Sequence, residues 1–170
     1  MEELSRDLGT RLRGSEVTCF KMYPSCGVTL ALTDPDSNTV VPPTSPKFSG
    51  DFMLNAQGDQ ELIFSPASGT GLQVLKLSQS VDDVAWATSA TGTLYSTDST
   101  SNTVDAITGT FTPGTVFTAV TPCNANSAPS TCPGPGYAAN SLGTINLTTG
   151  QVASVVTNSG VNAKGLIFVP

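Results

Sequence analysis

The sequence predicts an all-β protein: about three four-stranded antiparallel units over residues 50–170, with a short helix over residues 1–14 and a proline-rich loop segment over residues 15–49 in front of them. Three observations lead there. From Gly50 onward, β-prone runs of five to eight residues alternate with Gly, Asn, Asp or Pro turns at strand-and-turn spacing, and no helical period survives. One pattern returns: DDVAWAT begins 82 residues before KGLIFVP, two periods of about 41. Charged residues make up only 12% of the chain, against about a quarter in ordinary globular proteins. Nineteen Ser and 24 Thr take their place, so the surface is solvated by hydroxyls and amides.

The elements follow in order. Leu4, Leu8 and Leu12 lie four apart, and Glu2–Arg6 and Asp7–Arg11 are i,i+4 ion pairs, which predicts a helix ending near Gly14. Glu2, Glu3 and Asp7 stand where a secretory leader needs basic and then apolar residues. Residues 33–50 hold four prolines, two of them adjacent, and read as loop. The strand runs are then DFMLNA, ELIFSP, LQVLKLS, VDDVAWAT, TLYSTD, TVDAIT, TVFTAV, NSLGTINLT, QVASVVT and LIFVP. Residues 82–120 read as one four-stranded unit, and the near-identical LIFSP (62–66) and LIFVP (166–170) suggest one strand type used twice. In VDDVAWAT, Trp86 alternates with Val84 on one face and belongs to the core.

The same arithmetic excludes several functions. Seven basic residues against 13 acidic ones, a formal charge of −6, cannot build the positive stripe that nucleic acid needs. No apolar run reaches the length of a membrane-spanning helix. Without histidine there is no Ser–His or Cys–His catalytic pair and no His-ligated metal. The four cysteines fall as two close pairs, Cys19 with Cys26 and Cys123 with Cys132, in loop-rich surroundings. That reads as two local disulfides of an oxidising compartment; the rival, a four-cysteine zinc site, lacks C-x2-C knuckles. Asp98, Thr100 and Asn102 repeat the front half of a calcium loop, but Thr103 and Gly109 stand where the loop needs Gly and Glu. A turn whose side chains bond their own backbone is the plainer reading, and no cofactor is expected. Asn146-Leu147-Thr148 matches the N-glycosylation pattern.

The run VDDVAWATSATGTLYSTDSTSNTVDAITG resembles a blade of the six-bladed β-propellers of the NHL, TolB-like and gluconolactonase-like kind. KGLIFVP resembles the innermost strand that follows a last complete blade. The stretch from ELIFSP through CNANSAPSTCPGPGYAANSLGTINL is similar to uncharacterised bacterial secreted proteins carrying such a propeller, and beside that resemblance the glycosylation pattern is discounted. The likeness covers residues 50–170, about three blades at roughly 40 residues each, where a full ring needs six. The expectation is a partial ring, the C-terminal half of a longer protein, with self-association through open blade edges as its consequence.

The resemblance also implies that Asp82 and Asp83, at the start of an inner strand, could line a central channel, where enzymatic relatives hold a divalent metal. A pair of carboxylates capping the strand is the simpler alternative. The expected function is a non-catalytic extracellular or cell-envelope module that binds a protein, small molecule or glycan. Two other readings stand beside it: a fragment of a lactonase-like hydrolase or lyase, and a phage-tail or adhesin-like β domain.

Overall fold

The computed structural model describes residues 30–68, 71–120, 141–157 and 162–170, together with the two-residue strand at 16–17. The helix expected over residues 1–14, and Cys19, Cys26, Cys123 and Cys132, lie outside the described residues. Among the described residues there are thirteen strands and no helix.

β1 (Glu16–Val17) and β2 (Leu30–Ala31) form a short antiparallel pair. β3 (Pro35–Val40), β4 (Phe52–Ala56), β5 (Glu61–Ser65) and β6 (Gln73–Lys76) follow one another as an antiparallel meander, the first sheet. β3 corrects the reading of residues 33–50 as loop throughout. Its proline is the first residue of an edge strand, where a missing N–H costs no ladder bond.

Residues 82–120 depart from the expected single unit. They give β7 (Val81–Trp86), β8 (Thr91–Asp98), β9 (Thr103–Thr110) and β10 (Val116–Val120), but these divide between two sheets. β7 pairs with β10, which continues into β11 (Ser141–Ile145) and β12 (Val152–Thr157) as the middle sheet. The β8–β9 hairpin instead joins β13 (Ala163–Val169) in a three-stranded third sheet. The reason lies in side-chain alternation. Val84, Trp86, Val116 and Val120 face the first sheet, while Ala85 and Phe117 face the other way. β7 and β10 thus need an apolar layer on both faces, and the hairpin supplies the second.

The three sheets stack face to face with the middle one between. The larger core joins Met53, Leu62 and Phe64 of the first sheet to Val84, Trp86 and Ile145 of the middle one; Phe48 stacks on Phe64 at 3.8 Å between ring centroids. On the opposite face Leu94, Leu166 and Phe168 meet Ala85, Phe117 and Leu142, and Phe111 lies edge-on to both Phe117 and Phe168. The two matching pentapeptides sit on opposite sides of the middle sheet. In each, Leu and Phe turn toward that sheet and the intervening Ile turns away. Tyr95 lies exposed on the outer face of the third sheet.

Candidate functional site

β3, β7 and β13 are each the edge strand of a different sheet, and both β3 and β13 contact β7. Where they meet, the side chains of four aspartates and one lysine gather: Asp34 and Asp36 beside Asp82 and Asp83, with Lys164 from β13. Asp82 and Asp83 were singled out from the sequence; Asp34, Asp36 and Lys164 were not. They come from a segment read as loop and from a strand far along the chain, so no local spacing marks them.

Each member has defined partners. Asp83 Oδ2 accepts the Leu166 backbone N–H at 2.6 Å, and its Oδ1 accepts that of Val84 at 2.7 Å. It thereby satisfies an N–H of an edge strand that has no ladder neighbour on that side, and ties the third sheet to the middle one. Asp82 Oδ2 pairs with Lys164 Nζ at 2.8 Å. Asn55, fully buried on β4, donates through Nδ2 to the carbonyls of Val81 at 2.9 Å and Asp82 at 2.7 Å, which ties the first sheet to the same point. The two adjacent aspartates therefore act as a junction of three sheets.

Asp36 faces this junction from β3. Desolvation, a hydrogen bond with Asp82, and the charges of Asp82, Asp34 and Asp83 push its carboxyl up from the usual 3.8 to about 7. The sign of the linkage follows. Between about pH 4 and pH 7 the unfolded chain releases this proton while the folded chain keeps it, so the stability contributed by Asp36 falls across that window and levels off above it. Asp36→Asn keeps a donor toward Asp82 and removes the titration. The variant is expected to gain thermal stability over the wild type as pH rises from 4.5 to 8, measured as the difference in Tm. A difference independent of pH would show that Asp36 titrates in the ordinary range.

Asp98 and Asn102 lie apart from this junction, on the β8–β9 turn. Asp98 accepts hydrogen bonds from the Ser101 hydroxyl at 2.7 Å and from the backbone N–H groups of Thr100 at 2.8 Å, Asn162 at 3.1 Å and Ser101 at 3.4 Å. Led by the Ser101 hydroxyl, these bonds hold its carboxyl below the ordinary range against desolvation. Asn102 takes a left-handed backbone, φ 56°, as a turn residue. Asp98 and Asn102, which repeat part of a calcium loop in sequence, are found in turn-forming positions, and Asp98 also fastens the approach to β13.

Among the described residues no group of three or more Asp, Glu, Cys or His is arranged to hold a metal ion. A groove of about 380 Å³ runs along β3, β7 and β13. Asn38, Thr39 and Thr88 line it with polar side chains, Val40 and Ile167 with exposed aliphatic surface, and Asp83 and Trp86 are also in its lining.

No family model, curated protein or solved structure matches the chain. Among the described residues no helix is long and apolar enough to cross a membrane.

Proposed function

We propose that the chain is a propeller-type, non-catalytic binding module of an extracellular or cell-envelope protein, and that its ligand lies in the groove shared by β3, β7 and β13. The sheet arrangement supports the propeller reading: sheets stack face to face, and the edge strands β3 and β13 both lie beside β7, the first strand of the middle sheet, as inner strands neighbour one another around an axis. The β8–β9 hairpin departs from that pattern, since it fills the places beside β13 that later strands of a third blade would take.

The observation that carries the binding reading is the groove itself. It is built from the edges of three sheets, falls within the size range of small-molecule sites, and is lined by Asn38, Thr39 and Thr88 with apolar contacts between them and one carboxylate, Asp83. The neighbouring aspartates disfavour anions. An uncharged, hydroxyl-rich ligand such as a mono- or disaccharide fits this lining best.

The test is a titration of the purified protein with a panel of neutral mono- and disaccharides, followed by saturation-transfer NMR and calorimetry. Asn38→Ala and Thr88→Ala, both at exposed positions, are each expected to weaken binding about fivefold, the value of one hydrogen bond, with Tm unchanged. Binding indifferent to both substitutions would remove the groove from consideration.

A further inference from the structure

The outer edge of the third sheet is formed by β9, eight residues that pair with β8 in unbroken register from Thr103↔Asp98 to Thr110↔Thr91. No described strand pairs with its other side. Seven of its eight residues are exposed, Val104 at 64%. Long edge strands are ordinarily blunted by lysine, proline, a bulge or a covering segment, because free N–H and C=O groups in a row accept any extended chain. β9 has no lysine, no proline and no bulge. Thr103, Val104, Ile107, Thr108 and Thr110 are instead the residue types that favour strand pairing.

Charge selects the partner. The strand carries one charged side chain, Asp105, whose carboxylate has no lysine or arginine within ion-pair distance among the described residues. The three described lysines are engaged elsewhere: Lys76 with Glu61, Lys164 with Asp82, and Lys47 over the Phe48 ring at 5.1 Å. The whole chain carries −6. Two copies would therefore meet with like charge, whereas a cationic segment is drawn to this edge.

We infer that β9 is a docking edge for an extended, basic segment of another polypeptide, which adds to the third sheet as a fourth strand and sets a lysine or arginine beside Asp105. Main-chain hydrogen bonds supply the affinity of such an addition, and alternate side chains, one of them against Val104, supply the selectivity.

The probe is a fluorescein-labelled decapeptide of alternating Thr and Val with one central Lys, titrated against the intact chain and read by anisotropy. Saturable binding is expected, about fivefold weaker when Glu replaces Lys, and Asp105→Lys is expected to reverse that preference. Asp105 is exposed, and a melting curve of the variant is the check on its fold. Two further peptides carry N-methyl groups on alternate amides, one set on each edge. Only one of the two is expected to lose binding, because an added strand uses one edge. Equal behaviour of the two methylated peptides, an unchanged preference in Asp105→Lys, or sedimentation of the protein alone as a dimer would each overturn the inference; the last would assign the edge to a second copy.

Discussion

Gly150→Ala is expected to destabilise the protein by about 3–4 kcal/mol, the sum of a left-handed backbone and an overpacked contact. Gly150 has φ 72° and is buried in the turn between β11 and β12. A methyl group there would overlap the carbonyl oxygen of Lys76, at the end of β6. That carbonyl belongs to backbone, so it cannot swing aside as a side-chain tip would. The turn is also a fastening point: Ser78 N–H donates to the Gly150 carbonyl at 2.9 Å, and the Ser78 hydroxyl accepts the Val152 N–H at 2.9 Å. Moving Gly150 thus strains the seam between the first and middle sheets. Gly50→Ala is the control, since φ is 82° there but nothing lies within 4 Å of the added carbon. It should cost only the backbone part, about 1–2 kcal/mol. Urea unfolding of the two variants measures both numbers; equal losses would show that the contact with Lys76 is not formed.

Asp83→Ala is expected to cost about 2–3 kcal/mol, the range for removing a charged acceptor from partly buried N–H groups. The substitution leaves the Leu166 and Val84 amides without their side-chain acceptor. Leu166 cannot recover a partner from the ladder, since β13 pairs with β8 alone. Asp83→Asn retains one carbonyl oxygen and should lose about half as much. Hydrogen exchange separates a local effect from a general one: protection should fall most at Leu166. Uniform loss over all three sheets would contradict the assignment of Asp83 as the tie between β7 and β13.

The strands were legible in the sequence because strand formation after residue 50 is a local matter of alternation and turn chemistry. All ten runs from DFMLNA to LIFVP coincide with observed strands, β4 to β13. Trp86 was legible for the same reason, its alternation with Val84 placing both in the larger core. Pairing was not. Residues 82–120 look like a meander because each turn joins neighbours, yet β7 passes over β8 and β9 to reach β10. That choice is decided by which faces need covering, and facing layers come from distant parts of the chain. β3 was hidden by the residues that suit an edge strand, since Pro35, Asp36 and Asn38 count against strand in any local tally.

The candidate site divides the same way. Asp82 and Asp83 stand out as an adjacent acidic pair before an apolar run. Their partners Asp36, Asn55, Lys164 and the Leu166 amide come from β3, β4 and β13, and only the stacking of three sheets brings them together.

The interleaving of the middle and third sheets has a kinetic side. The β8–β9 hairpin closes over four turn residues, whereas the contact of Gly165 N–H with Thr97 Oγ1, which seats β13 against β8, spans 68 positions. On loop-closure entropy alone the second step costs about 2.5 kcal/mol more than the first. The hairpin is thus the early local product of folding, and the third sheet waits on a long-range search. Until β13 arrives, β8 presents its inner edge as bare as the outer edge of β9. The hairpin alone thereby leaves open a row of backbone groups on β8 that β13 covers in the native protein, and the nascent chain is at its most adhesive in that interval.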